Sequence, residues 1–541
     1  LDTFDFIIVG AGSAGCVLAE RLSQGQAGTV LLLEGGGTDR RLWITLPIGY
    51  GKTFDDPRVN WKFRSEPDPA TGGRQAYYPR GKVLGGSSSI NAMVYCRGLP
   101  GDYDDWGAAG NPGWDGQTAW STFDRIERRK AGDGTISGSG ALWVESRAQD
   151  HHPITADFIA AAGQAGYAVI DDLNRAPCEG IAPYVINTRN GRRWSSASAF
   201  LRPALRRANV TLRCGALTDC VLVRDGRAVG VRYRRGGRVH DVLARREVIV
   251  CAGAVGSPAI LMRSGIGPAD VLEAAGVPVR VANAAVGAHL QDHLGIDYHF
   301  KANRPTLNNQ LGTRHGQLLA ALRYLFNRSG PLSLSMNQVG GLVRSAGAAA
   351  RPDIQLYFNP ISYSRAQAGK KVLTRPDPWP GFIIGFNACR PTSRGAITIA
   401  SRDPAQPPRI VPNYLATDRD RADVIAGARV VAAIAATPAI AAITLAPNGF
   451  VPLGAHDRAI LDDFRERSGT VHHLCGTCRM APRDQGGVVD AALRVHDIAA
   501  LRVVDAAIFP NITSANTHAP TVMTAWRAAD MILSSSGNQP P

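Results

Sequence analysis

Phe6-Ile7-Ile8-Val9-Gly10-Ala11-Gly12-Ser13-Ala14-Gly15 decides the fold of this 541-residue chain. An apolar run of strand type, 4–9, enters a Gly-x-Gly-x-x-Gly loop. Residues 14–22 leave it with Val17, Leu18 and Leu22 at helical spacing. A second apolar run, 29–33, ends at Glu34, 24 residues after Gly10. Strand, loop, helix and strand make a βαβ opening. Gly10 lets the chain turn tightly, Gly12 lets the backbone approach a pyrophosphate, and Gly15 lets the helix pack close to the sheet. The helix N-terminus offers Ser13 and Ala14 amides and a partial positive charge to phosphates. A carboxylate at Glu34 accepts both ribose hydroxyls and repels a 2′-phosphate, which disfavours NADP. The loop does not separate FAD from NAD, but no second such loop is present to hold a nicotinamide cofactor.

Outward from this opening, 41–79 is rich in Gly and Pro and irregular. Runs at 210–213, 219–224, 228–233 and 240–244 read as strands at hairpin spacing. A further strand, 247–251, precedes a helix over 254–263 entered through Gly253. Between about 295 and 468 the pattern changes to alternation, as at 354–358 and 396–399, with many Pro breaks. That fits an antiparallel sheet with helices. A buried-type strand returns at 501–504, and 520–532 reads as a terminal helix. The division expected is a discontinuous cofactor domain over 1–40, 80–150, 205–295 and 466–541, and a substrate or cap domain over 41–79, 151–204 and 296–465. Residues 534–541, Ser/Gly/Pro-rich and without an apolar anchor, are the one stretch expected to be disordered.

A hydrophobic content of 45% with 19% charged residues is ordinary for a globular protein. The formal charge is +15. The basic side chains are almost all Arg, scattered along the chain, and no basic cluster is joined to an aromatic stacking platform, which argues against nucleic acid. The nine Cys are scattered, unlike a disulfide framework. Cys475-Gly476-Thr477-Cys478 has the spacing of a redox or metal pair. A zinc site needs a second ligand pair that is not there, so no metal is expected and two packed thiols are the favoured reading. The most apolar stretch, 424–445, is interrupted by Arg429 and Pro438 and reads as one or two helices rather than a transmembrane span. No signal-like segment precedes the first strand, although Leu1 in place of Met is compatible with a removed leader. The expected location is cytoplasmic, and the oligomeric state is not legible.

Two His residues close to the C-terminus complete the picture: His473 in Val471-His472-His473-Leu474-Cys475-Gly476-Thr477-Cys478, and His518 in Asn516-Thr517-His518-Ala519-Pro520-Thr521. Imidazoles are the usual groups for moving protons near neutral pH. With these segments go Gly81-Lys82-Val83-Leu84-Gly85-Gly86-Ser87-Ser88-Ser89-Ile90-Asn91, continuing through Tyr95, Arg97-Gly98 and Asp104, and Gly253-Ala254-Val255-Gly256-Ser257-Pro258 running on to Gly267. In this order, with the N-terminal loop, they resemble the glucose–methanol–choline (GMC) flavoprotein oxidoreductases over nearly the whole chain.

The resemblance implies an α/β fold, α+β overall: a Rossmann-like FAD-binding domain with an inserted antiparallel-sheet substrate domain. It implies FAD held by Gly10, Gly12, Ser13, Ala14, Gly15 and Glu34, and by Gly85, Gly86 and Ser87 against the diphosphate and flavin. Asn91, Ala92, Met93 and Val94 are implied near the ring system, Asn91 having a turn-stabilising role as its alternative. Val221 is implied at the adenine and Gly253 at the adenosine half. Asp505 and Ala506 fall near the ribityl chain and pyrophosphate, and Asn516, His518, Pro520 and Thr521 near the flavin. Some members tether FAD through a His just before the position of Asn91; here that residue is Ile90, so non-covalent FAD is expected. The register through Gly476-Thr477 places His473 at the catalytic position, leaving His472 to pack or line the pocket. Trp526 stands where an acidic residue is common and has no functional account from the sequence.

The chemistry implied is oxidation of a primary alcohol to the aldehyde. His473 takes the hydroxyl proton as hydride leaves for flavin N5, and His518 orients the substrate oxygen. Electrons then pass to O2, giving H2O2. Two alternatives stay open: a dehydrogenase passing electrons to a quinone or another carrier, and a flavin-containing hydroxynitrile lyase of the same fold. Tyr357, Phe358 and Tyr363 are candidate pocket walls, with core packing as the equally weighted alternative for each. No carboxylate cluster marks a quaternary ammonium site, which leaves a primary alcohol of modest size, aromatic or hydroxymethyl-bearing.

Overall fold

The computed structural model describes residues 1–26, 28–345, 349–363 and 376–535. The strands that place the site are, in chain order, β1 (Thr3–Val9), β2 (Val30–Glu34) and β3 (Gly180–Pro183), then β4 (Val210–Cys214), β5 (Leu217–Arg224), β6 (Arg227–Arg235) and β7 (Arg238–Val250). They continue as β8 (Leu294–Ala302), β9 (Val339–Val343), β10 (Ile354–Asn359) and β11 (Gly381–Ala388), and end with β12 (Thr444–Pro447), β13 (Gly469–Thr470) and β14 (Leu501–Val503). The helices that matter are α1 (Ser13–Leu22), α2 (Gly253–Arg263), α3 (Arg314–Asn327), α4 (Asp418–Ala435) and α5 (His518–Ser535).

The first sheet has a parallel core in the order β4-β2-β1-β7-β14. Ile7, Ile8, Leu31, Leu32, Val248 and Ile249 are wholly buried, as a parallel sheet covered on both faces requires. The chain runs from β1 through α1 to β2 on one side, while β7 and β14 lie on the other. The carboxyl ends of β1 and β7 therefore flank a topological switch point, the place where open α/β sheets bind ligands. Cys251 N–H donates to Val9 O at 2.8 Å and closes the floor of that crevice.

The runs at 240–244 and 247–251, expected as two strands, are one strand, β7. Its first half pairs antiparallel with β6, and its second half pairs parallel with β14. An arm of β5, β6 and the start of β7 thus grows out of the parallel core. Its turns are tight two-residue loops, Asp225-Gly226 and Gly236-Gly237, all four at positive φ. That is the twist hairpin turns need, and it explains the glycines.

The second sheet runs β12-β8-β11-β10-β9-β3, with β13 also on β8, and every pairing is antiparallel. Phe158, Phe358, Phe382 and Phe300 stack along one face, with ring centroids 4.8, 5.6 and 5.0 Å apart in turn. Helix α4 closes that face; a Cβ on Gly427 would stand 2.2 Å from the Phe386 ring. The expected strand at 396–399 forms (Ala396–Thr398), but it pairs with Arg409–Val411 as a separate two-stranded ribbon.

Helix α5 lies along α1. Trp526 fills the contact, with the Arg21 guanidinium 4.5 Å over its ring and Phe200 edge-on at 6.4 Å. Its role is to fasten the C-terminal helix to the nucleotide-binding one. Disorder is expected from the sequence over 534–541, but α5 includes Ser534 and Ser535; positions 536–541 lie outside the described residues. Among the described residues no helix is long and apolar enough to cross a membrane.

Candidate active site

A single cavity of about 1350 Å³ runs from the carboxyl ends of the first sheet to the near face of the second. That exceeds the ~300–1,000 Å³ of an ordinary small-molecule pocket, as a dinucleotide plus a substrate would require. At one end lies Glu34, whose Oε2 accepts from Ala11 N–H (3.0 Å) and Oε1 from Gly36 N–H (2.7 Å). Burial pushes its carboxyl up to about 7, against the pull of those two amides.

Helix α1 opens into the middle of the cavity. Gly12 is its N-cap, no side chain caps it, and no acid sits in its first turn. Its amides and dipole are left for an anion. Gly86, at φ +54°, approaches Gly12 so closely that a Cβ on it would lie 2.7 Å from Gly12 Cα. Gly15 is shut against the turn, where a Cβ would meet Gly10 O at 1.9 Å. Asp505 holds the opposite wall. Its Oδ2 accepts from Ser257 Oγ (2.6 Å) and Gly253 N–H (2.8 Å), and its Oδ1 from Ala507 N–H (2.7 Å). A two-glycine cradle, an uncapped helix terminus and a ribose-type carboxylate in one cavity fit an adenine dinucleotide such as FAD.

The far end carries the histidines. His473 sits on the segment after β13, which Asp292 anchors: Oδ1 accepts from His473 N–H (2.7 Å), and Oδ2 from Tyr414 Oη (2.6 Å) and Thr470 Oγ1 (2.5 Å). His472, at φ +69°, makes the turn, and its carbonyl accepts from Arg80 at 2.7 Å. The His473 ring has a partner on each nitrogen: Nδ1 faces Nδ1 of His293 at 2.8 Å, and Nε2 meets Nδ2 of Asn516 at 3.1 Å. His293 is fully buried, and its Nε2 lies 2.9 Å from Cys389 O. A carbonyl only accepts, so His293 Nε2 carries its proton, neutral His293 presents a bare Nδ1, and His473 Nδ1 must donate to it. The network thereby leaves His473 Nε2 unprotonated. Burial above all holds the imidazole's pKa well below the usual histidine value.

His518 opens helix α5, with Nε2 3.3 Å from Ser196 Oγ and a buried Nδ1 that has no partner among the described residues. Burial, then the Arg193 cation, bring its pKa down to about 4. An unpaired buried ring nitrogen on a cavity wall calls for a ligand atom.

The sequence-based site residues divide as follows. Gly10, Gly12, Ser13, Ala14, Glu34, Gly86, Ser87, Asn91, Ala92, Met93, Val94, Gly253, Asp505, Ala506, Asn516, His518 and Thr521 all line the cavity, together with His472, His473, Tyr357 and Tyr363. Gly15, Gly85 and Pro520 stand behind the wall. The Gly85 amide donates to Ala11 O at 2.8 Å, tying the second loop to the first. Val221 is a correction: its amide donates to Ser264 Oγ at 2.8 Å inside the core. Ala216, Leu217 and Thr218 take the wall instead, because the chain crosses the end of β2 at Ala216, whose amide donates to Glu34 O at 2.8 Å. Phe358 is a second correction, a core residue stacked on Phe158. Strand β10 turns Tyr357 to the cavity, and alternation sends Phe358 the other way. Asn91 serves the turn, its Oδ1 accepting from Met93 N–H (3.1 Å) and the buried Arg193 (2.8 Å), while also lining the cavity. Cys475 and Cys478 are buried free thiols with pKa raised by burial.

His293, Asp292, Ser196 and Gln355 were not singled out by the sequence. Gln355 Nε2 donates to Asn516 Oδ1 at 3.2 Å and so orients the amide that faces His473. The Asp292-His293 pair lies 180 residues before His473 with no spacing pattern that connects them.

Residues 4–295 match the N-terminal domain, and residues 391–525 the C-terminal domain, of the GMC oxidoreductases. Over 99% of its length the chain is 37% identical to the oxygen-dependent choline dehydrogenase of Photobacterium profundum, covering 94% of that protein. It is likewise 37% identical to an alcohol dehydrogenase [acceptor] of Pseudomonas putida, over 98% of this chain and 96% of the other. Among solved structures, pyridoxine 4-oxidase from Mesorbium loti superposes with a TM-score of 0.85 at 30% identity, covering 97% of this chain and 98% of that one.

Proposed function

From the premise that this chain belongs to the GMC oxidoreductase family and is an FAD-dependent oxidoreductase acting on alcohols, we propose that it oxidises a primary alcohol to the aldehyde with His473 as the base. The observation that carries the reading is the order of donors and acceptors from Cys389 O through His293 to His473, which keeps His473 Nε2 bare. A base needs that lone pair free at working pH. The depressed pKa keeps it free through the neutral range. The substrate hydroxyl takes the place of the Asn516 amide on Nε2 and hands over its proton there. His518 Nδ1, which lacks a partner among the described residues, pairs with the same oxygen and holds the carbinol carbon in place. FAD, when bound, supplies the acceptor for the hydrogen that leaves that carbon as hydride. Ile90 is packed against Ile44, Val59 and Val83 and offers no atom to bond, which supports non-covalent FAD.

On the substrate side, Tyr50, Phe54, Tyr184, Tyr357 and Tyr363 alternate with the neutral amides of Asn337, Gln355, Asn359 and Asn387. Aromatic faces and amides, with Asp297 and His299 on the same wall, suit a flat, polar hydroxymethyl compound. The likeness to a pyridoxine oxidase supports the same class. O2 is the proposed acceptor.

The test is to mix the flavoprotein with a panel of benzylic and hydroxymethyl alcohols, with and without air, and to follow flavin absorbance and peroxide. Anaerobic bleaching with aerobic H2O2 is expected. Bleaching that air does not reverse would replace O2 by a quinone or another carrier. A flavin that no alcohol bleaches would overturn the alcohol reading and favour a lyase.

A further inference from the structure

Helix α3 projects from the second sheet's side of the molecule with very little of itself buried. Thr313 caps it through Gly316 N–H, and within it only Ala320 and Tyr324 are buried. The opposite face is apolar and bare. Leu318, Leu319, Leu322, Leu325 and Phe326 are all exposed, Phe326 by 77% and Leu325 by 61%. At ~100° per residue these five side chains fall within an arc of about 120°. His315 is the polar residue inside that arc. Arg314 and Arg323 stand at its two edges, and both are exposed.

Single exposed leucines are ordinary; five on one continuous helix face are not. The charge carried by this stretch of the chain has one sign. From 298 to 352 the sequence contains no Asp or Glu, while Lys301 and six Arg are present, and the whole chain carries +15. The acid that meets α3 is Asp150, which accepts from Arg323 (3.2 Å) and Gly330 N–H (3.0 Å) and lies at the helix's buried end. Arg314 has no ion pair among the described residues. An apolar face edged by long cationic side chains is the arrangement by which a helix lies in a lipid–water interface, its leucines among the acyl chains and its guanidiniums reaching the phosphates.

We propose that this face docks the protein peripherally onto a bilayer carrying anionic headgroups. A second copy of the chain is the poorer occupant. A two-fold contact through α3 sets Arg314 and His315 against their own images, while Asp150 is already engaged by Arg323. The chain leaving α3 runs on to Met336 and Asn337 in the cavity wall. The proposal does not rest on the alcohol chemistry and is tested apart from it.

The holoenzyme is centrifuged with phosphatidylcholine vesicles, with and without a minor fraction of phosphatidylglycerol. It should sediment with the anionic vesicles at low salt and be released as salt rises. The Leu322→Glu/Phe326→Glu variant and the single Arg314→Glu variant should each bind about tenfold more weakly. Both should keep wild-type flavin content and turnover, since none of these residues touches the cavity. Wild-type protein left in the supernatant would overturn the proposal, as would vesicle binding unchanged in both variants. It would also fall if light scattering showed a dimer that Leu322→Glu/Phe326→Glu splits, for then a second copy covers the face.

Discussion

At the residue scale the site turns on which nitrogen of His473 carries a proton. A carbonyl, Cys389 O, fixes the proton on His293 Nε2, and His293 passes that order on to His473. Removing the base itself, His473→Ala, should lower kcat by about 10²–10⁴-fold with flavin content unchanged; turnover near wild type would remove it from the mechanism. His293 does not line the cavity and acts through His473, so it is a positioning residue. His293→Asn should cost about 10–100-fold in kcat at constant KM, the size of effect seen when a group orienting a catalytic or metal-bound imidazole is lost. It should also move the acid limb of the kcat profile to lower pH, because the neutral acceptor on His473 Nδ1–H favours the protonated ring and its loss removes that support. An unmoved acid limb would mean that His293 merely fills space.

At the element scale the critical join is between the first loop and the second. Gly12 and Gly86 meet backbone to backbone, and the Gly85 amide donates to Ala11 O. Gly86→Ala has two costs: a methyl 2.7 Å from Gly12 Cα, and an L-residue held at φ +54°. The expected result is protein that folds but purifies with much less flavin, its affinity for added FAD down at least tenfold, because the two loops can no longer close to the spacing a diphosphate needs. Titration of flavin fluorescence measures this, and an undiminished affinity would show the contact to be structural only. The expectation from sequence held for the elements themselves: β1, α1, β2, α2 and α5 appear within a few residues of their anticipated bounds. It erred where one strand serves two neighbours. Residues 240–251 read as two runs because Arg245 and Arg246 interrupt the apolar pattern just where β7 passes from the exposed arm into the parallel core.

At the scale of the whole molecule, buried neutral histidines tie folding to pH. The fold favours neutral His518, whose pKa is brought down to about 4. A histidine with a depressed native pKa contributes its full share of stability above the ordinary value of ~6.5. As pH falls through the window from there toward 4, the unfolded chain takes up the proton first, and stability declines by up to about 1.4 kcal/mol per pH unit. Wild type should therefore lose about 1 kcal/mol more than His518→Gln between pH 6 and pH 5 in urea unfolding; equal losses would contradict the burial of a neutral imidazole. Comparing the two cancels the carboxylates, of which Glu34 has a raised pKa and acts in the opposite direction. What the sequence by itself determined is local: the Gly-x-Gly-x-x-Gly turn, the acid 24 residues on, the two glycine-rich signatures and the two C-terminal histidines are contiguous or short-range patterns, and they suffice for the cofactor and the reaction class. The tertiary structure alone decided which wall Ala216 rather than Val221 would occupy, that Phe358 belongs to the core, and that His293 lies 2.8 Å from His473 across 180 residues of chain. Those facts depend on where one strand crosses another and which way a side chain alternates, and hydrogen bonds between distant segments leave no periodicity in the chain that makes them.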